Sequence, residues 1–266
     1  MSNVDFLYEH EDKLKTNMGA WFAGERVVYR GKDLFPELGD EPWMRVFLYG
    51  ITGRMLDDKQ IKLFEGVWVL CASYPDPRLW NNRIGALAGA TRSTGALGLG
   101  AAIATSEATL YGLGPGIKCI DFIRKVKLAT DGGESIEKFL SAYLKKERSF
   151  AGYGRPLVNG DERVEPIAKL ATELGYDNGA HYQLAYDVEE WLITSRRRMR
   201  MNVFAVIAGL VADQGFSNRE FYLYLTACYV GGIIPCYIDA ASKPEGCFFP
   251  LRCDRIQYEG SENRPW

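Results

Sequence analysis

Histidine is nearly missing from this sequence: His10 and His181 are the only two among 266 residues. The six cysteines, Cys71, Cys119, Cys228, Cys236, Cys247 and Cys253, form no Cys-x-x-Cys pair. With so few imidazoles and no paired thiols, no structural zinc centre or other metal site is expected. Buried, reduced thiols in a cytoplasmic protein are the expectation instead. A dominant charge is lacking too. Lysine and arginine total 32 against 34 acidic residues, for a net charge of −2. That leaves no global electrostatic footprint for nucleic acid or an anionic membrane. The one basic cluster, residues 196–200 (RRRMR), reads as a solvated helix end. The opening MSNVDFLYEHEDKLK has no apolar core and does not read as a secretory signal. Residues 85–104 are mildly apolar but carry Arg92 and many glycines, too weak a pattern for a membrane span. No repeat of fixed period and no low-complexity segment occurs.

What is present is ordinary for a soluble globular chain: 47% hydrophobic and 25% charged residues. The length suits one large domain, or a large domain with a small satellite. Residues 1–26 read as a peripheral arm, 27–260 as the folded domain and 261–266 as a tail. A short β-like piece and a turn into a helix are expected within 27–38. Helical spacing follows at 41–54 and 57–72, the latter with Asp57 or Asp58 as N-cap. Small residues dominate from about Ala86 to Ala104, which predicts a helix that can approach a neighbouring or partner helix closely. Its GLGAAI lacks the preceding strand and following acid of a dinucleotide fingerprint. Further helices are expected at 115–128, 134–147, 165–175, 180–195, 203–214 and 217–240, which makes the chain all-α.

The stretch SFAGYGRPLVNGDERVEP, residues 149–166, raises the functional question. Glycines at 152 and 154 frame a tyrosine, and Arg155 follows. Such a loop lets backbone approach a ligand closely. Arg163 then opens a helix, whose N-terminal end attracts anions.

Several segments in order resemble the citrate synthase superfamily, and most closely its short citryl-CoA lyase-like branch. YRGKDLFPEL…FLYGITGR is similar to the family's opening. LCASYPDPRLWNNRIGALAGATRST is similar to its loop and small-residue helix. GYGRPLVNGDERVEP resembles GYGHP…GDPR, MNVFAVIAGLVADQGF resembles PNVDFxxAxLxxxLGF, and FPLRCDRIQYEG resembles PLRxxxIxYxG. The resemblance runs from about residue 27 to 260. It implies a helical fold with a large domain and a smaller lid-like subdomain. It also implies a homodimer, while the charge balance argues against a nucleic-acid or membrane partner. The implied ligands are a small carboxylate and a coenzyme A thioester, with a carbon–carbon bond made or broken beside the thioester. That chemistry needs a positioned base and a donor for the enolate oxygen.

The departures from the family pattern fall on its catalytic positions. Tyr111 in TLYGLG stands near the place of a histidine in PLHGG. Arg155 stands for the histidine of GYGHP, and Phe204 for the aspartate of NVD. A phenyl ring accepts no proton, and an arginine stays protonated. Arg155 and Tyr111 are therefore the candidate catalytic residues. Glu107 or Asp254 could supply a base. Arg163, Arg252, Arg255, Gly152 and Gly154 are the candidate substrate-binding set. Arg155 and Arg163 together are expected to form an anion clamp. Two readings follow: a divergent enzyme that is not an ordinary citrate synthase, or a non-catalytic ligand sensor or partner of an active paralogue.

Overall fold

A computed structural model describes residues 3–72, 74–155, 160–195, 197–248 and 250–261. Among them are twelve α-helices and three short strands, so the chain is all-α in class. It divides into two units. The first comprises Met1–Cys71 and Pro115–Leu225, the second Ala72–Gly114 and Thr226–Trp266.

In the first unit, α1 (Asn3–His10) and β1 (Gly19–Phe22) lie exposed at the N-terminus. β1 pairs antiparallel with β2 (Arg26–Tyr29), and β2 with β3 (Lys32–Asp33). The short helix α2 (Leu34–Leu38) follows directly, as the sequence suggests for 27–38. α3 (Trp43–Thr52) buries Met44, Leu48 and Tyr49 and stops at Gly53, whose φ of 74° suits a residue without Cβ. Arg30 Nη1 donates to the Gly50 carbonyl at 2.8 Å, and the Tyr49 hydroxyl donates to the Arg30 carbonyl at 2.6 Å. The Arg-Gly turn is thereby fastened to the end of α3.

α4 (Asp58–Cys71) opens with a reciprocal cap. Gln60 N donates to Asp57 Oδ1 and Asp57 N to Gln60 Oε1. Its Phe64 ring lies 4.6 Å from Phe216 and 5.0 Å from Tyr224, and the Tyr224 hydroxyl donates to the Phe64 carbonyl. α7 (Leu113–Asp131) buries Cys119, Ile120, Phe122, Ile123 and Val126. α8 (Ile136–Glu147) is capped by Ser135. α9 (Val164–Leu174) packs on α4 and on α11 (Val203–Asp213), and α10 (Ala180–Thr194) packs on α11. Helix α11 is buried along nearly its whole length because almost every residue is apolar.

The second unit corrects one expectation. The small-residue stretch forms two helices, α5 (Trp80–Ala90) and α6 (Gly95–Thr105), rather than one. Arg92 takes a left-handed φ of 59°, and the Thr94 hydroxyl accepts from Leu97 N as the cap of α6. The small residues do serve close packing. A Cβ on Gly85 would meet the Ile233 carbonyl at 2.8 Å, and one on Gly89 the Tyr237 carbonyl at 2.3 Å. Both partners lie on α12 (Asn218–Ala241), and Gly98 of α6 sits against Ala88 of α5. Ala86, Ala90, Cys236 and Ala240 form a core cluster with Phe248 against it. α12 is long and apolar enough to cross a membrane, with mean hydropathy 1.5. A core helix meets the same test, and here Tyr224 packs on Phe64 while Cys236 and Ala240 pack on α5. Residues 250–261 are exposed, with one 3-10 turn at Cys253–Arg255.

Candidate anion-binding site

The glycine-framed loop is fastened to the start of α11 by a short antiparallel pairing. Tyr153 bridges Met201, Gly154 N donates to the Arg200 carbonyl at 2.7 Å, and Asn202 N donates to the Gly152 carbonyl at 2.8 Å. The Asn202 side chain works on both sides. Its Nδ2 donates to the Gly154 carbonyl, and its Oδ1 accepts from Phe204 N to cap α11. Gly152 has φ 88°, and a Cβ there would meet Cys119 Sγ at 2.4 Å and Ala205 at 3.1 Å. No other residue fits that crossing. Gly154, at φ 83°, needs its glycine for backbone angle alone, with Met199 at 3.6 Å. Below the loop, the buried Tyr153 hydroxyl donates to the Ala185 carbonyl on α10 at 2.8 Å. Burial pushes that phenol and the Cys119 thiol well above their ordinary ranges, so neither ionises.

The loop and the segment before α11 are far apart in sequence, and the fold sets them side by side. Arg155 and Arg163 both turn toward Asp161, whose side chain is fully buried. Arg163 holds it in a fork: Nε to Oδ1 and Nη2 to Oδ2, both at 2.8 Å. Asp161 Oδ2 also accepts from Val203 N at 2.9 Å, the first residue of α11. Burial opposes ionisation of Asp161, but the Arg163 guanidinium and the backbone N–H groups of Val203 and Arg163 outweigh it, holding the carboxyl below its usual range. Arg155 Nη1 lies 3.7 Å from Asp161 Oδ1, and it donates to Glu162 Oε2 at 2.6 Å and to the Gly160 carbonyl at 3.3 Å. Its Nε and Nη2 make no hydrogen bond among the described residues. The two arginines thus stand together, each already holding a carboxylate of the chain itself. Pro156, which follows Arg155 in the sequence and fixes its own φ, lies outside the described residues.

Phe204 is half-buried in the first turn of α11, against Gly116 of α7. The remaining candidates belong to the second unit. Tyr111 takes φ 55° and is exposed, with its ring 5.9 Å from Trp80. Arg252 pairs with Asp254 at 3.0 Å on the exposed tail, and Arg255 sits in the same turn. Glu107 is exposed.

Two anchors escaped the sequence reading. Asp161 stands two residues before Arg163, a spacing that lets a short carboxylate fold back on the guanidinium, so an Asp-x-Arg pair was the available signal. Asp213, at the end of α11, takes Nδ1 and the backbone N–H of His181 and the N–H of Tyr182 at 2.8–2.9 Å. Nothing local in the sequence announces that pairing.

These features define an all-helical protein with an arginine-bearing, glycine-framed loop laid against the start of a buried helix. Residues 12–233 match the C-terminal domain of citrate synthase, and the chain belongs to that family. It is similar in fold to citryl-CoA lyase from Hydrogenobacter thermophilus, with a TM-score of 0.83 at 19% identity, covering 95% of this chain and 97% of that one. It is also similar to ATP citrate lyase of Methanosaeta concilii in complex with (3S)-citryl-CoA, with a TM-score of 0.72 at 19% identity, covering 98% of this chain and 45% of that one. Citrate synthase from Thermotoga maritima aligns with a TM-score of 0.63 at 17% identity over 84% of this chain and 59% of that one. No curated protein sequence matches.

Proposed function

We propose that this chain is a divergent enzyme of the citrate synthase family, acting on an acyl-CoA or a polycarboxylate by making or breaking a carbon–carbon bond, and not an ordinary citrate synthase. The observation that carries this reading is the described part of the loop, residues 152–155 and 160–163. Gly152 and Gly154 are required by geometry, and the loop presents Arg155 with two guanidinium nitrogens uncommitted among the described residues. A guanidinium so placed binds carboxylate or steadies an oxyanion, and charge-assisted bonds of this kind are worth about 1.5–3 kcal/mol. The relatives named above include one bound to (3S)-citryl-CoA, which supports a coenzyme A thioester as the second ligand class. In this reading the protein works in the cytoplasm as a homodimer, with Arg252 or Arg255 contributing to carboxylate binding and Tyr111 serving as acid or enolate stabiliser.

A second reading is favoured by Phe204. A half-buried phenyl at the start of α11 supplies no proton acceptor where a base is wanted. On that reading the protein binds the same ligands without turnover, as a sensor or as the partner of an active paralogue. A thermal-shift panel of coenzyme A thioesters and di- and tricarboxylates tests both. Ligand at 100 times Kd adds about 2.7 kcal/mol of stability. Hits with turnover establish the enzyme, hits without turnover establish the sensor, and no hit from either class ends both readings.

A further inference from the structure

The pairing of Arg155 with Glu162 has the features of an occupied ligand site. Glu162 Oε2 accepts from Arg155 Nη1 at 2.6 Å, while the Glu162 side chain is 67% exposed and that of Arg155 24% exposed. A carboxylate on a solvated side chain is therefore sitting on a largely sheltered guanidinium. The neighbouring pair differs in kind. Asp161 is wholly buried, forked to Arg163 and bonded to Val203 N, so it cannot leave without unpicking the start of α11. The family motif GDPR has proline where this chain has Glu162, and GYGHP has histidine where it has Arg155. The two departures are the two ends of one ion pair. The geometry points to Glu162 as a resident carboxylate that occupies Arg155 until a ligand carboxylate displaces it. That makes Glu162 a determinant of which anions this site accepts and how tightly.

The inference rests on the reading of the loop as a carboxylate site. Its physical content is competition. A ligand that needs Arg155 sees only the fraction of molecules in which Glu162 has swung away, and its apparent affinity falls by that fraction. The Glu162 side chain reaches water and is held by Arg155 and by its own backbone N–H, and an ion pair with one solvated partner is worth little. Displacement is therefore cheap, and a ligand with several carboxylates or a phosphate achieves it where a weak monoanion does not. Glu162 also lends the empty site a neutral pair in place of a lone guanidinium.

The test measures citrate and malate binding by calorimetry in the full-length wild type and in E162Q, E165Q, R155Q and the R155Q/E162Q double variant. Glu165, exposed in the first turn of α9, controls for removing one nearby negative charge. The expected result is affinity raised threefold or more in E162Q, little changed in E165Q, and no gain from E162Q once Arg155 is gone. An equal gain in E165Q, or a gain that persists in R155Q, reduces the effect to bulk charge and overturns the inference. R155Q losing binding while E162Q gains none overturns it too, with the carboxylate site itself intact. No carboxylate binding in any variant overturns the site and the inference together. A second measurement needs no substitution at 162. The side-chain carboxyl carbon of Glu162, followed by NMR, is held below the ordinary titration range by its own backbone N–H and by Arg155. Saturating citrate is expected to move that titration upward toward the free value. An unmoved titration at saturation shows that Glu162 stays on Arg155.

Discussion

Arg163 grips Asp161 through two parallel bonds, Nε to Oδ1 and Nη2 to Oδ2, both at 2.8 Å. The same carboxylate takes the Val203 N–H, so one buried side chain joins the arginine loop to the first residue of α11. Replacing Asp161 by Asn keeps the shape and removes the charge, leaving a sheltered guanidinium without its counter-ion. We expect D161N to lose about 2–4 kcal/mol, near the lower end of what breaking a buried pair costs, because Arg163 retains some access to water. Urea unfolding at neutral pH measures it. A loss under 0.5 kcal/mol would mean the fork contributes little to the fold.

The same pair sets a pH dependence. The folded-state carboxyl of Asp161 titrates below its unfolded value, so its contribution is complete above the unfolded value and disappears as pH falls through the folded one. Asp213 behaves alike. Burial opposes its ionisation, but His181 and the two backbone N–H groups outweigh this and lower its range. Stability should therefore decline on acidification below about pH 4, the ordinary range of a carboxylate. D161N should show a shallower decline than wild type over the same interval, read from unfolding midpoints between pH 7 and pH 3. Parallel curves would remove Asp161 from the acid response.

D213A removes the acceptor for the His181 and Tyr182 N–H groups at the start of α10. It also frees the His181 ring, which Asp213 holds by Nδ1. Loss of an N-terminal cap costs about 0.5–2 kcal/mol. Gly179 is packed so tightly against this carboxylate that a Cβ would fall 2.0 Å from Oδ2. G179A should therefore destabilise wild type more than it destabilises D213A, and a double-mutant cycle on thermal midpoints checks the coupling.

Legibility from sequence followed physical range. Local patterns worked: the helical spacing within 41–54, a cap at Asp57 or Asp58, and the β-like piece and turn within 27–38 all depend on residues a few positions apart. The small-residue stretch reads as one helix because glycine and alanine carry no phase. The break at Arg92, a left-handed residue that is not glycine, has no compositional mark. Within the loop, the pairing of Gly152 with Asn202 and the Asp161 cap on Val203 join segments about 40 to 50 residues apart, beyond any periodicity. Arg155 and Arg163 were expected to face one ligand anion together. The sequence held the partners they have here, Asp161 and Glu162, in the same short run, but no spacing rule says which way such a carboxylate turns.

The glycines of α5 yield a prediction in the second unit. A methyl group on Gly89 would meet the Tyr237 carbonyl at 2.3 Å and Ala241 N at 2.9 Å, both backbone atoms that cannot rotate away. G89A should cost about 1–3 kcal/mol by overpacking. At Gly98 the obstacle is the Ala88 methyl at 2.7 Å, so G98L should force α5 and α6 apart and cost at least as much. At Gly100 nothing lies within 4 Å of an added Cβ. G100A should therefore be neutral or slightly stabilising, since alanine favours the helix by about 1 kcal/mol. Thermal unfolding of the three variants reads the order, and a destabilised G100A would show that this face of α6 is covered.

The catalytic prediction rests on the proposed match of Phe204 and Arg155 to the two family positions where a proton would move. Synthesis of citrate needs a base to take a proton from the acyl methyl and an acid to meet the ketone oxygen. Phe204 has no lone pair to accept a proton, and the Phe204 N–H is already used by Asn202 in capping α11. The Arg155 guanidinium offers only N–H donors and no acceptor for a proton. Losing one acid–base group typically costs about 10²–10⁴ in rate. With both gone, purified protein given acetyl-CoA and oxaloacetate should form no citrate above the uncatalysed rate. R155H alone should not restore it, because the base is still missing, and should weaken carboxylate binding by removing a fixed positive charge. F204D/R155H tests the remaining step. If the loop at 152–163 still holds substrate in a reactive pose, the double variant should gain measurable turnover over either single change. The aspartate would enter the first turn of α11, where the helix dipole favours its anion. Robust citrate formation by the wild type would mean that a base elsewhere in the chain does this work and that Phe204 does not occupy the catalytic position.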